Sequence, residues 1–181
     1  MLIAGLGSIA AGRVTAQTFT NLHSFTGAKA DGANPNGSLT LLSATLYGMT
    51  YGGGTSGCGV VFRINTDGIG YTNLHSFAGG SADGAYPVGS LTLGSNTLYG
   101  VTSQGGASGK GVAFRINTDG SGYTNLHSFA GGYFDGANPR GPLVLNGQTL
   151  YGMTHEGGMS TFGSSSYGFF GNSLGIFHWP I

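Results

Sequence analysis

The sequence predicts an all-β fold, a β-propeller-like array of about three four-stranded blades that forms an incomplete ring. The first observation is a 52-residue period, which repeats the phrase YTNLHSFAGG at 71–80 and 123–132 after a looser copy, FTNLHSFTGA, at 19–28. The second is that each period holds four short apolar segments separated by turn residues. Four strands in about 50 residues match a propeller blade, and a period of this length indicates a repeat architecture.

The four strands of one unit are clearest in the middle copy. They are predicted at 71–77 (YTNLHSF), 89–93 (GSLTL), 97–102 (TLYGVT) and 111–116 (GVAFRI). The stretch 78–88 reads as a loop, and NTDGSG at 117–122 reads as a tight hairpin turn into the next YTNLHSF, because Asp-Gly tolerates positive φ. Gly100, matched by Gly48 and Gly152, is expected to lie near a crowded axis where backbones approach closely.

The composition is that of a folded, turn-dense chain. Of 181 residues 38 are glycine and only 7% are charged, yet 12% are aromatic, which a disordered glycine-rich linker would lack. The formal net charge is zero, from 6 basic and 6 acidic residues. No basic patch could neutralise several phosphates, so no nucleic-acid partner is expected.

Three parts of the chain are distinguished. Residues 1–16 are predicted to be a signal peptide for export, either truncated or weak because no Lys or Arg precedes its apolar stretch; an ordinary N-terminal strand or tail is the alternative. This stretch is too short and glycine-rich to cross a bilayer, so no stable membrane insertion is expected. Residues 17–158 hold three tandem repeats, and 159–181 form a divergent aromatic, Gly- and Ser-rich segment.

The end of the third repeat breaks the pattern. The expected G-V-x-F strand is delayed until Gly175-Ile176-Phe177, after a segment rich in aromatic residues. Three units do not close a ring of the usual 4–8 blades, so two apolar sheet faces would remain open. The aromatic segment is expected either to cap the last blade or to be poorly ordered. The chain is expected to self-associate through its open blade faces or to be incomplete.

The motifs LYG-(M/V)-T, G-V-(V/A)-F-R-I-N-T-D-G, Y-T-N-L-H-S-F and D-G-A-x-P resemble the GloVer-type tandem repeat of exported bacterial choice-of-anchor proteins. The match covers about 19–158 and engages most repeat positions in order. This resemblance implies a propeller-type fold with more copies than are present here. It implies no activity and no catalytic residue.

The histidines and aspartates of the repeat are the first candidates for chemistry. His23, His75 and His127 recur at equivalent positions; they could converge on a metal, but a hydrogen-bonded packing role is favoured. The recurring aspartates of D-G-A-x-P are Asp31, Asp83 and Asp135. Each suits a local Asx-type turn and is only a weak calcium candidate, because each loop offers one carboxylate. No metal site, cofactor or catalytic residue is predicted.

Other polar residues give weaker signals. Arg63 and Arg115 could bind a carboxylate ligand, although pairing with an aspartate or snorkelling is favoured. Cys58 is the only cysteine, which excludes an internal disulfide, and it stands where the next copy has Lys110. The glycine-rich loops lead into strands, so they offer no helix N-terminus to an anion.

The predicted function is that of a non-enzymatic, exported repeat scaffold that binds a protein or glycan partner through its inter-strand loops. Substitutions between copies support it: Lys29, Ser81 and Tyr133 are equivalent, as are Asn36, Val88 and Arg140. Two alternatives remain open. One is a fragment of a longer propeller protein with no independent function, and the other is a hydrolase or lyase with its site on the axial face.

Overall fold

The computed structural model describes residues 19–132, 135–157 and 175–181. Over these residues the chain forms eleven strands and no helix, so the predicted all-β class is confirmed. The strands are β1 Gly32–Leu42, β2 Thr45–Gly53, β3 Val60–Asn65, β4 Thr72–Ser76, β5 Gly84–Gly94, β6 Thr97–Gly105, β7 Val112–Asn117, β8 Thr124–Ser128, β9 Gly136–Asn146, β10 Thr149–Gly157 and β11 Gly175–Pro180. The leader predicted at 1–16 and the aromatic residues before β11 lie outside the described ranges.

The strands form three antiparallel sheets, which together make an open propeller-like array. Sheet 1 has the order β1-β2-β3-β4, sheet 2 the order β5-β6-β7-β8, and sheet 3 the order β9-β10-β11. The YTNLHSF phrase pairs with the strand before it, as β4 on β3 and β8 on β7. Each complete sheet therefore takes three strands from one sequence repeat and its fourth strand from the next.

The delayed strand of the third repeat is found where it was predicted. Phe177 in β11 lies opposite Gly152 in β10, as Phe114 lies opposite Gly100 in sheet 2. β11 is thus the counterpart of β3 and β7. In the described residues, sheet 3 has no counterpart of β4 and β8.

Two expectations about strands were wrong. The residues 84–88, predicted as loop, form the first half of β5, because they pair with β6 from Gly84 opposite Gly105 onwards. A bulge between Val88 and Thr92 then absorbs the change in register before the predicted strand begins. The phrase at 19–25 forms no strand, although its copies do.

The core lies between neighbouring sheets, so sheet 2 is buried on both faces, whereas sheets 1 and 3 each leave one apolar face exposed. The cluster between sheets 1 and 2 contains Tyr47, Met49, Val61, Leu91, Leu98 and Phe114. The cluster between sheets 2 and 3 contains Tyr99, Val101, Ala113, Leu143 and Leu150. Successive sheets therefore stack through side chains that recur at equivalent positions in each copy.

The glycine of TLYGVT has a different role from the predicted one. A Cβ on Gly100 would lie 2.6 Å from Cζ of Phe114, so this glycine makes room for an aromatic ring of its own sheet. The close approach of backbones occurs instead at Gly89, where a Cβ would overlap the backbone of Gly141 in the next sheet. Within the described ranges, no helix is long and apolar enough to cross a membrane.

Candidate functional site

Each histidine of the repeated phrase contacts the aspartate that follows it by eight residues. The Nε2 atom lies 3.0 Å from Oδ1 of the aspartate in the pair His23–Asp31 and 3.1 Å from Oδ2 in the pair His75–Asp83. The corresponding distance in the pair His127–Asp135 is 3.1 Å. The histidines therefore do not converge on one metal. The constant spacing of eight residues was the sequence signal for this pairing.

Asp83 is surrounded by hydrogen-bond donors. The backbone amides of Ala78 and Gly84 each donate to its carboxylate at 2.7 Å. The hydroxyl of Tyr123 donates at 2.6 Å, and His75 provides a further contact. The loop between β4 and β5 thus folds around one carboxylate, which is more than the local Asx-type turn predicted from the sequence.

An aromatic ring completes each of the first two clusters. Tyr123 stacks on His75 with ring centroids 3.7 Å apart, and Tyr71 stacks on His23 at 3.9 Å. His75 belongs to β4 of sheet 1, whereas Tyr123 directly precedes β8 of sheet 2. The histidine, aspartate and tyrosine therefore fasten two neighbouring sheets to each other.

The electrostatics of the second cluster favour an ionised aspartate and a neutral tyrosine. Burial alone would raise the pKa of the Asp83 carboxyl, but hydrogen bonds from His75, Ala78 and Tyr123 lower that pKa to about 2. Burial and the neighbouring Asp83 carboxylate raise the pKa of Tyr123 far above its usual range. A carboxylate held ionised among donors is a stable structural acceptor and a poor proton donor near neutral pH.

The other clusters follow the same rule. Burial opposes ionisation of Asp31 and Asp135, but hydrogen bonds from their histidines and from backbone amides hold the pKa of each carboxyl below its usual range. The position 52 residues after Tyr123 is Gly175, which carries no ring. The Asp135 side chain is 27% exposed, against 13% for Asp83.

The structure places the weak metal candidates Asp31, Asp83 and Asp135 in three separate clusters, each with one carboxylate. Across the described ranges, no three metal-ligating side chains come together. Arg63 and Arg115 lie in β3 and β7, opposite tyrosines of the neighbouring strands.

A cleft of about 450 Å³ opens where the loops of sheets 1 and 2 meet. The glycine-rich loop 78–81 lines it together with the end of β6 and the start of the following loop, 104–107, and with Cys58 and Tyr86. The thiol of Cys58 lies 3.6 Å from the carbonyl oxygen of Ser56, so it contacts its own loop.

A pair of stacked tyrosines stands beside this cleft. The rings of Tyr51 and Tyr86 are 4.9 Å apart and nearly parallel, with an interplanar angle of 22°. Tyr86 has φ +58°, whereas its equivalents Asn34 and Asn138 have φ +54° and +52°. Asparagine tolerates this left-handed conformation better than other residues, so tyrosine is strained here.

The tyrosine pair is specific to this junction between sheets. At the next junction the equivalents of Tyr51 and Tyr86 are Ser103 and Asn138, so no rings can stack there. Sequence reasoning missed the pair. The available signal was the presence of aromatic residues at both positions of one junction and at neither position of the next.

The residues that vary between copies were expected to lie in loops, but not all of them do. Lys29 and Ser81 do, whereas Asn36 and Val88 lie in the strands β1 and β5, as does their equivalent in β9. The side chain of Asn36 accepts a hydrogen bond from the amide of Gly89 at 3.0 Å. Asn36 therefore connects sheet 1 to sheet 2. Tyr133 lies outside the described residues.

Comparison with known proteins gives one family match. The model of a family described as the Gloeobacter/Verrucomicrobia repeat matches residues 4–166. No curated protein matches the chain.

Proposed function

Because the chain belongs to the Gloeobacter/Verrucomicrobia repeat family, we propose that it is an exported, non-catalytic repeat scaffold that binds a protein or glycan partner. The binding surface is the edge of the array formed by the glycine-rich loops between sheets 1 and 2. The apolar stretch near the start of the chain supports export.

The repeated polar residues support a structural role. Each histidine and aspartate of the repeat is engaged with its partner, with backbone amides or with a tyrosine. Such fully hydrogen-bonded clusters hold the sheets in a fixed relation. A rigid array of this kind can present loops, and residues that are not needed for the clusters can vary.

The observation that carries the proposal is the stacked pair Tyr51–Tyr86 beside the cleft. Tyr51 is 37% exposed, so part of its ring faces solvent. Tyrosine rings bind sugar faces and apolar side chains well, because a large rigid surface is combined with a polar hydroxyl. The strain at Tyr86 supports a role other than folding, since asparagine would suit the backbone better.

The test compares the full chain with a variant carrying Tyr51→Ser and Tyr86→Asn on glycan arrays and in pull-downs. These substitutions install the residues that the next copy has at the same positions, so the fold is expected to persist. Removing two aromatic contacts is expected to weaken binding by about 10-fold or more. Ile69→Ser, in the hairpin turn at the opposite edge, is the matched control and should bind normally. Equal binding by all three proteins would overturn the proposal.

A further inference from the structure

The first copy of the repeated phrase makes the side-chain contacts of its counterparts. Phe25 lies 5.2 Å from Phe62, as Phe77 lies 5.2 Å from Phe114. His23 contacts Asp31 and stacks on Tyr71. Yet the stretch TNLHS at 20–24 is in no strand, whereas the same five residues form β4 and β8. These residues therefore pack against sheet 1, and no strand in the described part of the chain pairs with them.

Sheet 3 offers the complementary edge. β11 pairs with β10 on one side, and no strand of the described residues pairs on its other side. Its counterparts β3 and β7 carry TNLHS there. An unpaired strand edge exposes N–H and C=O groups that readily accept a further strand.

The exposed apolar residues of sheets 1 and 3 are equivalent to residues that lie buried between neighbouring sheets inside the chain. Leu39 is 52% exposed, whereas its equivalents Leu91 and Leu143 are each 4% exposed. At the other end, Met153 is 49% exposed and its equivalent Val101 is 1% exposed. Within the chain, Val101 packs in the same cluster as Leu143. The face of sheet 3 that carries Met153 (the Met153 face) should therefore pack on the face of sheet 1 that carries Leu39 (the Leu39 face), as sheet 2 packs on sheet 3.

We propose that two copies of this chain close head to tail into one ring of six sheets. Residues 20–24 of each copy add to β11 of the other as its fourth strand. The Leu39 face of each copy then packs on the Met153 face of its partner. Six sheets fall within the range of closed propellers, and a two-fold axis makes the two junctions identical.

The register of the added strand follows from the internal ones. Arg63 pairs with Thr72, and Arg115 pairs with Thr124. His178 is the counterpart of both arginines, because it lies opposite Tyr151 as they lie opposite Tyr47 and Tyr99. Thr20 is therefore placed opposite His178 of the partner subunit.

The first experiment traps this register with cysteines in the full chain. Thr20→Cys and His178→Cys are combined with Cys58→Ser, and the protein is mildly oxidised. The expected product is a disulfide between chains, seen as a dimer on a non-reducing gel. Thr20→Cys with Ser108→Cys, whose second position is exposed in the loop after β6 at the other end of the strands, is the mismatched control and should stay uncrosslinked. A disulfide within one chain would overturn the proposal, because it means that the chain covers its own edge.

The second experiment measures mass by light scattering after size exclusion. The full chain is expected at twice the 18.2 kDa of one chain. Leu39→Asp with Met153→Asp should reduce the mass to one chain and leave the circular dichroism unchanged, because both side chains are about half exposed in a single chain. A wild-type monomer, an open series of larger assemblies, or a double variant that remains folded and dimeric would each overturn the six-sheet ring.

Discussion

Tyr123 donates its hydroxyl hydrogen to Asp83 at 2.6 Å, although 40 residues separate the two in the sequence. The contact joins the loop that leads into β5 to the residue that leads into β8. The same tyrosine covers the ring of His75, which lies in the preceding sheet. One carboxylate thus organises three segments of chain that come from two sequence repeats.

The first prediction is that Asp83→Asn destabilises the protein by about 2 to 3 kcal/mol. Asparagine carries no charge, and its NH2 group replaces one carboxylate oxygen. At least one of the groups that donate to Asp83 therefore loses its acceptor. Urea unfolding measures the change in the free energy of unfolding. Asp119→Asn, in an exposed hairpin turn, is the control and should cost well under half as much, since asparagine suits such turns. Equal losses in the two variants would contradict a special role for Asp83.

The second prediction concerns acid. The pKa of Asp83 is about 2 in the folded chain, against 3.8 for an unperturbed aspartate. The unfolded state therefore takes up the proton first as the pH falls. The stabilisation, about 2 kcal/mol, is present above pH 4 and is lost between about pH 4 and 2. Melting temperatures of the wild type and Asp83→Asn should differ at pH 6 and converge toward pH 2. A constant difference over this range would count against the assignment.

The third prediction concerns alkali. The pKa values of Tyr71 and Tyr123 are raised by burial and by the adjacent carboxylates. The unfolded state therefore releases these protons first, and stability is lost as the pH rises above about 10. Absorbance of tyrosinate should show a late step in which Tyr71 and Tyr123 ionise only as the chain unfolds. Tyr123→Phe should reduce the amplitude of that late step. An unchanged late step in this variant would show that another tyrosine is responsible.

Local signals in the sequence were enough for the class of fold and for most strands. The NTDG turn predicted that the repeated phrase YTNLHSF forms a hairpin with the strand before it. This pairing determines which strand becomes the fourth strand of each complete sheet. Contacts between repeats were harder to predict. Tyr123 reaches Asp83 through the stacking of sheets, and nothing in one repeat specifies how far the next one is rotated against it.

The candidate site shows the same limit. The eight-residue spacing of His75 and Asp83 was visible in every copy, but their contact depends on the path of the loop between β4 and β5. The pair Tyr51–Tyr86 brings together the end of β2 and the start of β5, which belong to different sheets. The repeat pattern identifies residues that all copies share, whereas the two tyrosines of this pair are not repeated in the next copy.

The last prediction tests the packing of neighbouring sheets with two glycines that have nearly the same positive φ. Gly89 has φ +75° and Gly80 has φ +73°, so alanine is strained by about 1 kcal/mol at either position. A Cβ on Gly80 meets nothing within 4 Å, whereas a Cβ on Gly89 would overlap the backbone of Gly141.

Gly89→Ala must therefore push β5 away from β9, and it is expected to cost about 2 kcal/mol more than Gly80→Ala. Urea unfolding of the two variants gives the difference, because the strain of placing alanine at a positive φ applies to both. If the two variants were equally stable, the sheets would not approach each other through Gly89, and the stacking of sheet 2 on sheet 3 would have to be different from the one described.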